Sequence, residues 1–186
     1  MSIYVECTGS KGKKNTGAKE QCIEGIMIRP ALAVPGFQFD SITDAKDLDK
    51  WNEAVAAKQL FPLYDVEELT TANTEDTFFE GRNRQYKTAT GKKITTFTSI
   101  LGLCSHAALK SFSGSEMKLF EFTEDGAIKG VNTLTGGVTG QSVTLNVAKR
   151  LDATADRPPS TLVTINYSDF NEFEDDGVII LSLIHI

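Results

Sequence analysis

From Leu60 onward, short stretches rich in Val, Ile, Phe and Thr are separated by turn-forming residues, which is the pattern of antiparallel strands. An earlier stretch before Pro30 alternates apolar and polar residues, and Pro30 is expected to end it, because proline cannot donate a ladder hydrogen bond. The strands predicted from this pattern span 23–29, 84–90, 92–99, 118–123, 127–133, 142–149 and 161–167.

Two pairs of these strands are predicted to form hairpins, because turn residues stand between their members. Thr90-Gly91 separates the strands of the first pair, and Asp125-Gly126 separates those of the second. The segment 70–77 is rich in threonine and other polar residues, so we predict a polar loop there.

One amphipathic run predicts the main helix, over about 44–58. Ser41 or Thr43 can cap its start, and acidic residues follow in the first turn, where the helix dipole favours them. Trp51 is predicted to anchor the core rather than to bind a ligand. The apolar face of this helix consists of Leu48, Trp51, Ala54 and Val55.

A short second helix is predicted over about 105–112. Strands and helices do not alternate along the chain, which argues against a doubly wound nucleotide-binding fold. We therefore predict an α+β, β-rich fold, an antiparallel β-sandwich or barrel flanked by the two helices. The residues expected to face inward at the second helix are Leu103, Ala107, Ala108 and Phe112.

The length of 186 residues suits one domain, which we place over 1–180. With 19 basic and 25 acidic residues, the chain has a net charge of −6, which argues against a general binder of nucleic acid or of anionic membranes. We find no signal-peptide pattern at the start, and no apolar run approaches the roughly 20 residues that span a bilayer.

The two ends of the chain are expected to lie outside the packed fold. Residues 8–21 are polar and glycine-containing and predict a flexible arm. Its lysines could touch phosphate, but a solvated loop is the simpler interpretation because no aromatic residues are interleaved. Residues 181–186 resemble the translation of a transposon-end sequencing adapter, although a final strand is the alternative. The lysines of the arm are Lys11, Lys13, Lys14 and Lys19.

The chain has three cysteines, Cys7, Cys22 and Cys104, without a CxxC pair, which predicts reduced thiols in a cytoplasm. Cys104-Ser105-His106 places a nucleophile beside a base, yet neighbours in sequence rarely meet in the geometry of proton transfer. A zinc site of the three cysteines and His106 is arithmetically possible, but structural zinc ligands usually come in close pairs. Buried thiols are the simpler interpretation.

The acidic segment 169–177 offers many oxygen ligands but lacks the ligand order of a helix-loop-helix calcium site. We predict a solvated acidic turn, with Phe170 and Phe173 tucked under it. We therefore predict no catalytic, cofactor-binding or metal-binding residues, and no enzymatic activity.

A resemblance points to a class of protein. Over about 60–150 the chain resembles phage tail-tube subunits: Phe78-Phe79-Glu80-Gly81-Arg82 follows a polar segment, a lysine-bearing hairpin runs through Gly91-Lys92-Lys93, and an aromatic strand comes after it. The strand-turn-strand over 120–130, with its Asp-Gly, fits the same pattern.

The resemblance implies a β-sandwich or barrel that assembles into stacked hexameric rings around a DNA channel. The negative net charge suits a wall along which DNA slides without binding. The arm at 8–21 and the loop at 69–80 would order against neighbouring subunits. The expected partners are copies of the same chain and other virion proteins, with assembly in the host cytoplasm and no membrane.

Two alternatives stay open. The first is a carbohydrate- or protein-binding β-sandwich module, which would require Tyr64, Tyr86 and Tyr167 to share one solvent-exposed face. The second is an enzyme that uses Cys104 and His106.

Overall fold

The computed structural model of the protein describes residues 7–8, 25–82, 84–100, 102–169 and 172–181. The chain divides into two compact units, the first made of 1–64, 116–142 and 171–186, and the second of 65–115 and 143–170. Strands account for 49% and helices for 17% of the structure, so the α+β, β-rich class is confirmed. A single domain over 1–180 stays a prediction.

The elements are numbered in chain order. The strands are β1 (Cys7–Thr8), β2 (Met27–Ala33), β3 (Leu60–Pro62), β4 (Val66–Asn73), β5 (Thr77–Glu80), β6 (Gln85–Ala89), β7 (Lys93–Ser99), β8 (Glu116–Thr123), β9 (Ala127–Asn132), β10 (Val138–Thr139), β11 (Gln141–Val147), β12 (Thr161–Tyr167) and β13 (Gly177–Leu181). The helices are α1 (Ile42–Lys46), α2 (Leu48–Ala56), α3 (Leu103–Ser111) and α4 (Glu172–Asp176).

In the first unit the strands pair antiparallel in the order β1-β13-β9-β8-β2-β3, and β10 adds to β9. The predicted hairpin between β8 and β9 is confirmed. Its turn closes through the Gly126 N–H, which donates to the Thr123 carbonyl at 3.0 Å. Gly126 has φ of +79°, a conformation that glycine adopts without steric cost.

The first strand differs from the prediction, because β2 continues through Pro30 to Ala33. The ladder with β8 is irregular between Met27 and Arg29, and such a bulge is a place where a strand tolerates proline. The Pro30 carbonyl still accepts a hydrogen bond from the Leu63 N–H at 3.1 Å. Residues 23–24 lie outside the described part of the chain.

The predicted main helix is present as two pieces that meet at Asp47. Ser41 caps α1, as predicted, by accepting the Asp44 N–H at 3.1 Å. Asp47 has extended backbone dihedrals, and its carboxylate caps α2 by accepting the Asp49 N–H at 3.0 Å. A side chain that competes for backbone donors in this way favours a helix start over a helix interior.

Trp51 of α2 anchors the core of the first unit, as predicted, with only 8% of its surface exposed. Its indole Nε1–H donates to the Ala45 carbonyl at 2.8 Å, which satisfies the polar atom inside the core. Three phenylalanine rings pack around it with centroid distances of 5.0 to 5.3 Å. These rings belong to Phe39, Phe120 and Phe122.

In the second unit the strands pair antiparallel in the order β11-β12-β7-β4. The strands predicted over 142–149 and 161–167 are confirmed as β11 and β12. One face of this sheet is apolar and buried, with Phe97, Val163 and Ile165 among its residues. Along β7 and β12, buried residues alternate with exposed or partly exposed ones, which is the pattern of a sheet with one covered face.

The hairpin predicted about Thr90-Gly91 is wrong. β6 pairs with β5, whereas β7 pairs with β4 and β12. The polar loop predicted over 70–77, and with it the loop expected at 69–80, is also wrong, because 69–73 belong to β4 and 77–80 to β5. Cross-strand threonine pairs, such as Thr70 with Thr96 at 2.8 Å between their hydroxyl oxygens, hold β4 on β7.

The second helix is confirmed as α3, but the face predicted to point inward is wrong. His106 and Leu109 are buried, whereas Leu103, Ala107 and Ala108 are exposed and Phe112 is half-buried. The His106 Nδ1 lies 3.0 Å from the Thr161 hydroxyl, and this hydrogen bond pairs the imidazole inside the fold.

Replacing Trp51 with alanine is expected to lower the free energy of unfolding by about 3–5 kcal/mol, because the change leaves a cavity among three aromatic rings. Trp51→Phe should cost less, since a ring remains and mainly the hydrogen bond to Ala45 is lost. Chemical denaturation measures both changes. Leu134→Ala, at a fully exposed position, is the control and should stay within about 0.5 kcal/mol of the wild type; a similar small loss for Trp51→Ala would contradict the packing described here.

Candidate functional site

The second unit carries an aromatic hairpin that its own sheet does not cover. β5 and β6 pair with each other as a separate two-stranded sheet, and every residue of both strands is exposed. Phe78, Phe79 and Tyr86 have 53%, 61% and 56% of their surface exposed. Large apolar groups that lie close together on a protein surface often mark a site of interaction with another molecule.

The two faces of this hairpin differ in chemistry. Phe79 stands opposite Tyr86 in the register, so these two rings share one face. Gly81 lies close to the Tyr86 ring, since a Cβ there would come within 3.2 Å of the ring edge. Phe78 stands opposite Lys87 on the other face. We call the face formed by Phe79 and Tyr86 the aromatic face.

The base of the hairpin is held by a polar clamp. Lys87 Nζ lies 2.6 Å from an Asp76 carboxylate oxygen, and the other carboxylate oxygen accepts the Gly91 N–H at 2.7 Å. The hydrogen bond from Lys87, and then the one from Gly91, hold the pKa of Asp76 below its ordinary value. We call the contacts of Asp76, Lys87 and Gly91 the base clamp.

The packing of Gly91 against the Thr74 backbone explains why the hairpin was predicted in the wrong place. Gly91 approaches the neighbouring backbone so closely that a Cβ would lie 1.9 Å from the Thr74 carbonyl oxygen. Next to it, the Lys92 N–H donates to the Thr74 hydroxyl at 2.6 Å. Glycine is therefore required at this position, because the backbone passes very close to Thr74. Gly91 does not form the turn of a hairpin.

An apolar groove of about 440 Å³ lies in the first unit, bordered by α2, by β2 and by the turn between β8 and β9. Trp51 and Phe122 contribute aromatic surface to it, and four further apolar side chains around it are 40 to 67% exposed. We call it the α2 groove. Its exposed apolar residues are Ile28, Leu48, Val55 and Tyr64.

The α2 groove also has charged residues among its lining. Glu124 and Asp125 come from the turn between β8 and β9, and Arg29 and Lys46 come from β2 and α1. Asp125 accepts a hydrogen bond from the Thr123 hydroxyl, while Glu124 is an exposed residue of the turn. An apolar surface with charged groups at its edge has the chemical make-up of a protein-binding site.

The groove was missed in the sequence because Leu48 and Val55 were assigned to the buried face of the helix. The apolar stripe of α2 is wider than the strip that the core covers, so Trp51 and Ala54 are buried while Leu48 and Val55 are exposed. The Phe78-Phe79 pair was a visible signal for the hairpin, since adjacent aromatic residues in a strand must point to opposite faces.

Cys104 and His106 do not form a catalytic pair in the structure. They lie two positions apart on α3, and side chains at that spacing do not face each other on a helix. Cys104 is exposed, contrary to the buried thiol that was expected, while the buried His106 hydrogen-bonds Thr161. Ser105 is exposed on the same helix.

The zinc set of three cysteines and His106, which the sequence made arithmetically possible but did not favour, is not brought together among the described residues. Within the described ranges, no group of three or more His, Cys, Asp or Glu residues could hold a metal ion. Cys22 and the arm lysines lie outside those ranges, and Cys7 is described only as part of strand β1.

The acidic turn predicted over 169–177 is wrong, because α4 and the start of β13 occupy most of it. Glu172 is engaged within the fold: its carboxylate accepts the Ser142 N–H at 2.6 Å and lies 3.4 Å from Lys118 Nζ. Phe173 is half-buried, and Phe170 lies outside the described residues.

A second charged pair is also part of the packing. Glu121 and Lys129 are opposite each other on β8 and β9, with 3.7 Å between the carboxylate oxygen and Nζ, and both are buried. Buried charges require such pairing. Both pairs therefore have a structural explanation, and neither is a candidate for acid-base chemistry.

The three tyrosines proposed for a carbohydrate-binding face do not share one solvent-exposed face. Tyr64 and Tyr86 are exposed, but Tyr167 is buried, with Lys93 Nζ 4.3 Å from its ring centroid. The tail at 181–186 is described only at Leu181, whose backbone pairs with Ala127.

Comparison with known proteins gives no identification: no protein-family model and no curated protein matches the chain. Among the helices that the structure describes, none is long and apolar enough to cross a membrane. The class of protein must therefore be inferred from the surfaces described above.

The base clamp is expected to weaken in acid. Because the folded-state pKa of Asp76 is lowered, the clamp contributes stability at pH values above the ordinary pKa of 3.8 and loses it as the pH falls through the lower folded value. NMR should show the Asp76 carboxyl titrating below 3.8, with the Gly91 amide signal shifting in the same range. In Lys87→Met the titration should move upward, since the main cause of the lowered pKa is removed. An unchanged titration in this variant would contradict the assignment.

Proposed function

We propose that the protein is a self-assembling structural subunit of a phage virion, of the tail-tube kind. The observation that carries the proposal is the aromatic hairpin. A two-stranded sheet by itself is at best marginally stable in water, and this one presents three exposed aromatic rings. Contact of another subunit with the face that carries Phe79 and Tyr86 would cover those two rings and stabilise the hairpin.

The form of the hairpin supports a role in assembly over a role in catalysis. It extends from the β4–β7 pair and is fixed by the base clamp at its start and end. Catalytic sites gather titratable groups in a concave pocket, whereas this hairpin presents apolar surface to solvent. We therefore also propose that the protein is not an enzyme and uses no cofactor or metal.

The assignment to a phage tail tube rests on two supporting observations. The sequence around Phe78-Phe79 and over 120–130 resembles tail-tube subunits. A net charge of −6 suits a wall past which DNA moves without binding. The partners proposed on this basis are further copies of the chain and other virion proteins, assembled in the host cytoplasm.

The alternative, a carbohydrate- or protein-binding module, has less support. It depended on a surface formed by three tyrosines, and the burial of Tyr167 removes one of them. Binding of soluble glycans by the isolated protein, without any assembly, would favour that alternative.

Self-assembly is expected to depend on the aromatic face. In the double variant Phe79→Ser/Tyr86→Ser, the protein concentration required for half-maximal assembly should rise at least about tenfold, because large aromatic side chains contribute most to interfaces. Light scattering and electron microscopy of the purified protein measure the assembly.

The matched control is Phe78→Ser, which removes a similarly exposed ring from the opposite face of the hairpin. It should assemble nearly as the wild type does. A wild-type protein that stays monomeric at high concentration would overturn the proposed function, and equal effects of the two variants would overturn the role of the aromatic face.

A further inference from the structure

The α2 groove and the aromatic face are both apolar surfaces exposed to solvent on the same chain. We infer that they are the two halves of one contact, in which the hairpin of one copy docks in the α2 groove of the next copy. This inference rests on the proposed function, because it names the partner surface through which the subunits would assemble.

The apolar parts of the two surfaces match in kind. The aromatic face presents two large rings, Phe79 and Tyr86, in a directly opposed pair. The α2 groove offers exposed aliphatic side chains, among them Leu48 and Val55, beside the ring of Trp51. Aromatic anchors in an apolar groove are the usual centre of a protein interface.

The charges of the hairpin tip are complementary to those at one edge of the groove. Arg82 and Arg84 are exposed at the turn of the hairpin, which follows the aromatic pair after one further residue pair. Glu124 and Asp125 line the α2 groove at the turn between β8 and β9, whereas its basic residues come from β2 and α1. When the rings enter the groove, the two guanidinium groups can meet these carboxylates, and Arg is the side chain best suited to carboxylate pairing.

The resulting contact is head to tail. The donor surface lies in the second unit and the acceptor surface in the first, so the proposed contact joins two different patches of the chain. Contacts between different patches generate closed rings or open filaments, whereas a contact of one patch with itself stops at a dimer. The proposed contact therefore agrees with a protein that builds an extended assembly.

The first test places a charge in the α2 groove. Val55→Glu introduces a carboxylate into the apolar surface at an exposed position of the helix. The concentration for half-maximal assembly should rise at least about tenfold. Leu134→Glu, the same kind of change at an exposed position outside the groove, is the control and should assemble normally. Should Val55→Glu fail to fold, as judged by circular dichroism, Tyr64→Ser tests the same groove from another side.

The decisive test mixes two defective proteins. Val55→Glu keeps an intact hairpin, and Phe79→Ser/Tyr86→Ser keeps an intact groove, so each alone should stay monomeric. Mixed in equal amounts they can form one productive contact, and sedimentation should show a species of twice the monomer mass that contains both variants and does not grow further.

The outcomes separate the inference from the proposed function. If the wild type assembles and the groove variant does so equally well, the docking inference is overturned while self-assembly stands. If the groove variant is defective but the mixture forms no dimer, the groove accepts some other segment and the inference is again overturned. If the wild type never assembles, both fail together.

Discussion

A two-stranded sheet that stands alone has no second layer to cover its side chains. This constraint governs the most unusual part of the structure. In β5 and β6 the aromatic pair Phe79 and Tyr86 faces solvent, and the chain holds it there through the base clamp. Ordering these residues costs conformational entropy that burial within the hairpin cannot offset. The hairpin therefore makes physical sense as part of a larger contact.

The rest of the described chain shows how differently polar and charged groups are used inside the fold. Glu121 and Lys129 form a buried ion pair, and His106 hydrogen-bonds Thr161. Buried polar groups that are paired in this way help to fix the packing. The rings of the hairpin, by contrast, are exposed at the surface, where another molecule can contact them.

Sequence patterns correctly predicted the elements that depend mainly on local sequence. The turn at Asp125-Gly126, the strand β12 and the anchoring role of Trp51 follow from local turn chemistry and burial. Gly91 was assigned to a turn, although its role is close approach to the Thr74 backbone, a contact between segments that no local pattern encodes. Val55 was assigned to the core because periodicity defines an apolar stripe and not how much of it neighbouring elements cover.

A head-to-tail contact places a particular demand on the base clamp. Whether such contacts close into a ring or continue as a filament depends on the rotation between successive copies, and small angular errors accumulate from one copy to the next. The hairpin would set that angle, so its attachment must be stiff. Asp76 would serve this purpose, because its one carboxylate binds Lys87 on the hairpin and Gly91 beyond it. The clamp would therefore control the geometry of an assembly without itself touching a neighbouring subunit.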